Sequence, residues 1–418
     1  MAGVALSPEL NPGWEKLLPG PLTSVVVVEN KVFFAQKDLH TVHALSAADG
    51  SSLWRYTAGG RVDSPPTVHG GRVYFGSADG WIYCLRTADG ELVWRFRAAP
   101  RSRQILSYEQ LESVWPVHGN VLVHQGAGPD LPSLVYAVAG RSSFVDGGLF
   151  LVCLDARTGE LRSQRRISSR DAKTGHEPQH AVRGVSMPGA LPDVLSADGT
   201  SIFMRHARFD LEGNPQPENV DHLFSSVGFL DGDWWHRTYW QIGTAMGTGY
   251  GGWPRVGNRR ISGRLLVVAG ERVFGFGRKA YSVTGAHVGL QAEHHLFSAD
   301  AELARPKPPK AKPPKGRRRR RPPTEVRYHW SHPLPFFARA MLLAGDTLLV
   351  AGPSKIADLT AEKPEGDVWL WAVSPTDGAK QAEYPLKASP VFDGMAASRD
   401  GLFFTTVDGR VVCYRPGQ

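Results

Sequence analysis

The sequence predicts an all-β chain that folds as a closed β-propeller, and a repeated phrase is the first observation that predicts it. "VHALSAADGSSLWRY", which ends at Tyr56, aligns without gaps with "IYCLRTADGELVWRF", which ends at Phe96, at a period of 40 residues. Shorter copies are "LVCLDARTGEL" at 151–161 and "LWAVSPTDG" at 370–378. A repeat of about 40–45 residues built from short strands is typical of propeller blades.

Turn chemistry is the second observation. Asp-Gly occurs ten times, for example at Asp79-Gly80 and Asp89-Gly90. This dipeptide tolerates the positive φ angles that tight hairpin turns require. Runs of β-formers such as "RVYFGS" and "GLFFTT" lie between the turns, and helical periodicity is nearly absent. The pattern predicts four-stranded, up-and-down sheets.

The two ends of the chain are the third observation. The last copy stops at "VVCYRPGQ" without a final strand, and "GWEKLLPG" near the amino terminus looks like the missing strand. Trp14 precedes Ser24 by ten residues, as Trp54 precedes Ser64. The sequence therefore predicts that the amino-terminal strand completes the last blade, so that residues 1–418 form a single propeller without open sheet edges.

The blade count follows from the positions of the copies. Seven four-stranded blades are predicted, and the divergence of the middle of the chain leaves eight open. The predicted blades lie near residues 22–57, 62–97, 113–167, 190–243, 262–332, 338–384, and 386–416 with 14–18.

Charge is concentrated in one segment. The net charge is +8, but residues 305–321 hold ten Lys and Arg and no acid, so the rest of the chain carries −2. The frequent Pro residues predict that residues 301–325 form a disordered loop inserted within a blade. Such a loop is either a tolerated insertion or a contact for a polyanion. The polyanion contact would be made by Arg317, Arg318, Arg319, Arg320 and Arg321.

Targeting signals leave the compartment undecided. No apolar run is long enough to span a membrane. "MAGVALSPELNP" lacks the features of a signal peptide. The localisation therefore stays open: a cytoplasmic protein is one expectation, and an extracytoplasmic protein with a trimmed amino terminus is the other. Cys84, Cys153 and Cys413 occupy similar slots in different copies, where a small buried residue is expected, and no disulfide is predicted.

The phrases "SADGWIYCLRTADGELVWRF" and "CLDARTGEL" resemble the PQQ-like, quinoprotein-type propeller repeat family of bacteria. The resemblance covers residues 22–167 and 338–416. The family includes quinone-dependent dehydrogenases, an outer-membrane assembly lipoprotein and many uncharacterised proteins, so the resemblance implies the repeat and not a bound quinone. The dehydrogenases of this family carry adjacent cysteines and a calcium site, whereas this chain has no adjacent cysteines and no calcium ligands that can be assigned. No metal and no cofactor are therefore expected, a quinone included.

The repeat is most diverged over about 170–285, and this segment is the predicted binding region at one mouth of the propeller. It contains "WWHRTYWQIGTAMGTGYGGW" at 234–253. Arg237 and Tyr239 are the candidate catalytic pair, because a cation beside a phenol can stabilise charge and move a proton. Further candidate ligand-binding residues are His206, Arg208, His222, His236, Trp240, Arg278 and Tyr281. The alternative is that these residues pack between blades.

The function that the sequence favours is a scaffold that binds a ligand or a partner through this mouth. The alternative is a carbohydrate-active enzyme, for example a polysaccharide lyase, with its site in the same mouth. A quinone-dependent dehydrogenase and a nucleic-acid-associated protein are less favoured. A fold of this kind supports many functions, so the residues of the site must decide between them.

Overall fold

A computed structural model describes the chain in twelve stretches. They are residues 5–107, 109–126, 132–171, 173–175, 194–205, 207–217, 220–225, 240–243, 261–279, 294–301, 326–358 and 363–417. These residues form β-strands, turns and loops. The all-β prediction is confirmed, and the described part of the chain contains no helix suited to crossing a membrane.

Eight sheets form the blades, numbered one to eight in chain order, and a separate two-stranded hairpin lies between blades two and three. The strands of blades one to three and of the hairpin are β2 Val26–Val28, β3 Lys31–Gln36, β4 Thr41–Ser46 and β5 Ser52–Thr57; β6 Thr67–His69, β7 Arg72–Gly76, β8 Trp81–Arg86 and β9 Leu92–Arg97; the hairpin β10 Gln104–Ser107 and β11 Gln110–Ser113; and β12 Leu122–His124, β13 Leu134–Ala139, β14 Leu149–Asp155 and β15 Leu161–Ile167.

The second half of the ring contains blades four to eight. Their strands are β16 Ser196–Ala197, β17 Ile202–Met204, β18 Ala207–Phe209 and β19 Pro215–Gln216; β20 His222–Ser225, β21 Trp240–Gly243 and β22 Ser262–Gly263; β23 Leu265–Ala269, β24 Arg272–Arg278, β25 His294–Asp300 and β26 Tyr328–His332; β27 Ala340–Ala344, β28 Thr347–Asp358, β29 Lys363–Val373 and β30 Lys380–Leu386; and β31 Pro390–Ser398, β32 Gly401–Thr406 and β33 Arg410–Pro416 with β1 Leu10–Leu17.

The count of eight is the alternative that the sequence left open. The stretch predicted as one blade, 190–243, contributes strands to two sheets, blades four and five. Blade four has strands of only two or three residues, and blade five shows three strands among its described residues. Strands this short show little alternation of apolar and polar residues, so the sequence predicts one blade where the structure has two.

Burial explains the hydrophobic pattern of each blade. The second and third strands are buried almost throughout, as in β3 and β4, because both faces of a blade pack against neighbouring blades. The outer strands alternate between exposed and covered positions, as in β9. The core is therefore divided among the gaps between blades; Phe33, Trp54 and Phe75 fill the gap between blades one and two.

The first strand closes the ring. β1 lies antiparallel to β33, with Leu10 opposite Pro416 and Leu17 opposite Arg410, and forms the outer strand of blade eight. The predicted pairing of the amino-terminal strand with the last blade is confirmed. Blade eight also lies beside blade one, since β31 contacts β2.

A tryptophan from the outer strand of one blade docks on the next blade, and this contact recurs. The indole N–H donates to a backbone carbonyl about 3 Å away, and the ring lies against a turn glycine with φ between 72° and 76°. A Cβ on Gly90 would lie 2.6 Å from the Trp54 ring, so both the backbone angle and the close approach require glycine. The indole donors and their acceptors are Trp14 and Ala47, Trp54 and Thr87, Trp94 and Ala156, and Trp330 and Pro375.

The three cysteines are buried and unbonded, as the repeat predicts. Burial raises the pKa of the Cys84 thiol to about 11 and also raises the pKa of Cys153 and Cys413. Thiols of this kind stay protonated near neutral pH and behave as small apolar groups.

Candidate functional site at the mouth of the propeller

One face of the ring collects the loops that join blade to blade and those that join the second and third strands within a blade. We call it the mouth face. Three residues take the same place there: the N–H groups of Thr23, Arg264 and Arg339 donate to a second-strand carbonyl at 2.9, 2.8 and 2.8 Å. The acceptors are Ala35, Phe276 and Ala351. This place lies just before the innermost strand of a blade, next to the central channel.

Asp63 and His118 take the equivalent place in blades two and three. Each lies two residues after a carbonyl that accepts a backbone N–H from the end of the second strand, as Thr23 does after Pro21. The carbonyls of Arg61 and Pro116 accept from Ala78 and Gly140 at 2.7 and 2.9 Å. In a ring of eight blades, Asp63 and His118 therefore lie opposite Arg264 and Arg339 of blades six and seven.

Asp63 is the centre of a buried polar network. Its Oδ1 lies 2.6 Å from Arg61 Nη2, and its Oδ2 lies 2.6 Å from His118 Nδ1. Asp63 is 4% exposed and His118 1% exposed. Because an ionised carboxylate only accepts hydrogen bonds, His118 Nδ1 must carry the proton in this arrangement. Arg61 also faces Asp38 of blade one at 3.5 Å.

The charge state of Asp63 follows from these contacts. Burial by itself would raise the pKa of Asp63, but the hydrogen bond from His118 and the guanidinium of Arg61 outweigh burial and hold the pKa below its usual value. Asp63 is therefore ionised near neutral pH, and the network places a buried carboxylate–guanidinium pair beside the mouth.

The hairpin β10–β11 rises from the same face. Gln110 Nε2 donates to the Asp38 carbonyl at 3.2 Å, and Gln110 Oε1 lies 2.7 Å from His40 Nε2, so blade one holds the hairpin in place. Its cross-strand pair Leu106 and Leu111 is 74% and 62% exposed. The hairpin thus presents two large apolar side chains to solvent next to the charged network.

Arg264 brings a positive charge to the opposite side of the mouth. This side chain is 1% exposed, and its guanidinium carbon lies 5.1 Å from the ring centroid of Phe337 and 6.0 Å from that of Phe392. Distances of this size permit a cation–π attraction. Arg339 follows on the next blade, and its Nε donates to the Pro390 carbonyl at 3.2 Å.

Asp393 lies on a bulge of the innermost strand of blade eight. Pro390 pairs with Thr406 and Met395 with Phe404, so four residues of β31 stand opposite one residue of β32. Asp393 has a φ of 52°, and its N–H donates to the Arg339 carbonyl at 2.8 Å. Glycine is the usual occupant of this backbone region, so the bulge holds Asp393 in a specific position.

The position of Asp393 follows from its strand. Because β31 is the innermost strand of blade eight, Asp393 lies beside the central channel, next to Arg339 and Phe392. Its side chain is exposed to solvent, and desolvation raises its pKa to about 6.

Three of the residues singled out from the sequence can be placed with their side chains. His222 is buried and stacked on Phe203 at 4.0 Å, and its ring nitrogens face the carbonyls of Val220 and Arg205 at 3.0 and 2.7 Å. Arg208 Nε donates to Ser201 Oγ at 2.9 Å, and Trp240 is half-buried in β21. In these positions His222 and Arg208 are hydrogen-bonded to nearby protein groups.

The other predicted site residues lie outside the described part. This is so for His206, His236, Arg237, Tyr239, Tyr281 and the run Arg317 to Arg321. For Arg278 the backbone is described, at the end of β24 opposite His294. The basic segment falls between β25 and β26, the third and fourth strands of blade six. Across the described ranges, no three His, Cys, Asp or Glu side chains are grouped as a metal site would need.

Sequence reasoning missed the polar residues of the mouth itself. Asp63, His118, Arg264 and Arg339 occupy one place in the repeat, in "GRVDSPP", "WPVHGN", "SGRLL" and "FARAM". Aligning the segments that precede each innermost strand would have shown a charged or polar residue at this place. The bulge at Asp393 had no such signal, because an Asp-Gly pair predicts a turn.

A known protein family matches the first part of the chain. A family model described as "Outer membrane protein assembly factor BamB" matches residues 5–187. The resemblance to the PQQ-like repeat family is confirmed. No curated protein matches the sequence.

Two solved structures of quinohemoprotein alcohol dehydrogenases share the fold. Quinohemoprotein alcohol dehydrogenase from Comamonas testosteroni is 14% identical with a TM-score of 0.55, and the match covers 98% of this chain and 76% of that one. The enzyme ADHIIG from Pseudomonas putida HK5 is 12% identical with a TM-score of 0.53 and the same coverage. BamB from Moraxella catarrhalis is 11% identical with a TM-score of 0.39, covering 97% of this chain and 98% of that one. At these identities the likeness concerns the fold alone.

Proposed function

We propose that this PQQ-like repeat propeller is a scaffold that binds a protein partner through its mouth face. The observation that carries the proposal is the hairpin β10–β11, which holds Leu106 and Leu111 in solvent beside a charged, pre-organised mouth. An apolar centre within a polar rim is the usual anatomy of a protein interface. The matching family description names an assembly factor, which agrees with a scaffold role.

The hairpin is a rigid contact surface. Its backbone is fixed at the base by the hydrogen bond from Ser113 N–H to the Ala78 carbonyl, 2.7 Å, and the half-buried Ile105 packs against the core between blades two and three. A partner therefore loses little free energy in ordering it. Full burial of a leucine side chain contributes about 1.5–3 kcal/mol, so covering both leucines accounts for a large part of a micromolar affinity.

The charged residues around the hairpin determine which polar groups a partner must carry. Glu112 of β11 forms an ion pair with Arg141 of blade three, and the network around Asp63 lies beneath. Arg264 and Arg339 add positive charge across the channel. We expect the partner to insert a segment with both apolar and charged side chains, because a mouth of mixed charge favours complementary pairs over one uniform sign.

The test is co-purification of the chain from its native host at its normal level, with partners identified by mass spectrometry. Leu106→Ser with Leu111→Ser should remove the partner, because both apolar anchors are lost. The matched control is Leu92→Ser with Leu161→Ser, a pair exposed on outer strands away from the hairpin. Retention of the same partner by the hairpin variant, or its loss from the control variant as well, would contradict the proposal.

Asp393 favours a second candidate, a carbohydrate-active enzyme with its site in the channel. A carboxyl group with a pKa near 6 suits general acid–base catalysis near neutral pH. Incubation with acidic and neutral polysaccharides, followed by assay for new reducing ends, tests this candidate. Activity in the native chain that disappears in Asp393→Asn would support it, and equal activity in both would exclude Asp393 as the acid or base.

A further inference from the structure

A cavity of about 610 Å³ lies between blades two and three, on the face opposite the mouth. It is lined by the turn between β6 and β7, by Pro132 and Ser133 before β13, and by the turn between β14 and β15. Its volume is in the range of small-molecule sites, about 300–1,000 Å³. The polar residues that line it are His69, Arg72, Ser133, Asp155, Arg157 and Arg162.

Positive charge exceeds negative charge among these residues. Three guanidinium groups face one carboxylate, and that carboxylate is already engaged: Asp155 Oδ2 accepts from Arg162 Nη2 at 2.7 Å. Its Oδ1 accepts the backbone N–H groups of Arg157 and Thr158 at 2.9 and 3.0 Å. Burial would raise the pKa of Asp155, but these hydrogen bonds outweigh burial and lower it. The carboxylate therefore stabilises the turn to which it belongs.

The other two guanidinium groups have no anionic partner among the described residues. Arg72 Nη1 lies 3.9 Å from Cys84 Sγ, its hydrogen-bonding neighbour. Burial raises the pKa of that thiol to about 11, so it carries no charge that could neutralise Arg72 at neutral pH. Arg157 uses its backbone N–H in the turn, and its side chain is exposed.

The walls of the cavity are fixed by contacts between the two blades. The Tyr74 hydroxyl and the Trp94 indole N–H both donate to the Ala156 carbonyl, at 3.0 and 3.2 Å. Ala156 N–H donates to the Ser133 carbonyl at 2.9 Å, and His69 Nε2 lies 3.1 Å from Ser133 Oγ. A ligand would thus enter a site whose backbone is already in place.

We propose that this inter-blade cavity binds a small phosphorylated molecule. The planar guanidinium fork of Arg72 and the charge of Arg157 match the oxygens of a phosphate group. The volume exceeds what a single phosphate fills, which leaves room for an organic part beside Tyr74. Glu212 lines an adjoining cavity of about 300 Å³ with Arg162, so the phosphate is expected on the Arg72 side. This site is independent of the mouth face.

Isothermal titration calorimetry of the full chain with pyrophosphate at low ionic strength tests the site. Pyrophosphate should bind in the millimolar range or tighter, and Arg72→Gln should weaken binding about tenfold or more. Arg157→Gln should weaken it too, and this variant keeps the test valid if Arg72→Gln fails to fold. The matched control is Arg97→Gln on the exposed side of β9, which should bind like the native chain.

The basic segment 305–321 offers a competing source of affinity for anions. The titration is therefore repeated on a chain in which residues 305–323 are replaced by a short Gly-Ser linker. Binding that persists there and is lost in Arg72→Gln supports the cavity. The proposal is overturned if pyrophosphate does not bind the native chain, if Arg72→Gln and Arg157→Gln bind it normally, or if the linker chain loses the binding.

Discussion

Replacing Asp63 by asparagine should strongly destabilise the propeller, because this carboxylate neutralises the Arg61 guanidinium and accepts a hydrogen bond from His118. The asparagine side chain has one acceptor oxygen in place of two and carries no charge. It cannot accept from both Arg61 Nη2 and His118 Nδ1, each of which now lies 2.6 Å from a carboxylate oxygen. One donor is left without an acceptor in a place that water does not reach.

The magnitude follows from burial. Removing one partner of a buried ion pair costs about 3–5 kcal/mol, because the remaining charge stays desolvated. Arg61 also faces the half-exposed Asp38 at 3.5 Å, which relieves part of that cost. We therefore expect Asp63→Asn to lower the free energy of unfolding by about 3 kcal/mol. The loss should shrink in acid, because a lowered folded-state pKa gives stability that is present above the unfolded value and disappears as the pH falls through the folded value.

Urea unfolding followed by tryptophan fluorescence measures the difference, provided that the transition is cooperative. Asp408→Asn is the control, since Asp408 pairs with Arg410 at 2.9 Å on the exposed surface and should cost under about 1 kcal/mol. A loss for Asp63→Asn no larger than that of the control, or one that does not change between neutral and acidic pH, would refute the network as described.

Four further predictions concern closure, docking and charge. Trp54→Ala should lower the free energy of unfolding by about 3–5 kcal/mol. Trp54→Phe should lower it clearly less, since phenylalanine loses the indole hydrogen bond but keeps a ring against the next blade. Equal losses in thermal unfolding would disprove the docking. The Asp393→Asn chain should be as stable as the native chain below about pH 4 and more stable than it above about pH 6. A raised carboxyl pKa lowers the stability of the native chain only once the group ionises. The difference should be at most about 1 kcal/mol, because solvent screens the charge. Deleting residues 1–20 should expose the edge of β33 and cause aggregation, and a soluble truncation with unchanged melting would argue against closure. Replacing residues 305–323 with a Gly-Ser linker should leave melting unchanged while weakening polyanion binding and its salt dependence; unchanged binding would assign that role to another surface.

The regular part of the fold could be predicted because each copy contains its own local signals. Gly50 and Gly90 follow Asp in turns of positive φ, and Trp14 and Trp54 recur at the distance that brings an indole onto the next turn. These signals lie within a few residues of one another. The closure of β1 on β33 was also predictable, since one copy lacked a strand that the other end supplied.

The mouth could not be predicted in the same way, because its residues meet only after the ring has closed. Asp63 and His118 are 55 positions apart, and Arg264 reaches Phe392 from two blades away. Each looks unremarkable in its own segment. Conversely, His222 attracted attention by its type, and only the fold shows that its ring is stacked on Phe203 between backbone carbonyls.

Site-specific photo-cross-linking in the native host tests whether the mouth face is the binding face. A photoreactive amino acid replaces Leu106 on the hairpin in one chain and Leu161 on the outer strand β15 in another. We expect one discrete protein adduct from position 106, absent from position 161 and lost when Leu111 on the same hairpin is also replaced by Ser. Adducts from position 161 alone, or the same adducts from both positions, would contradict it.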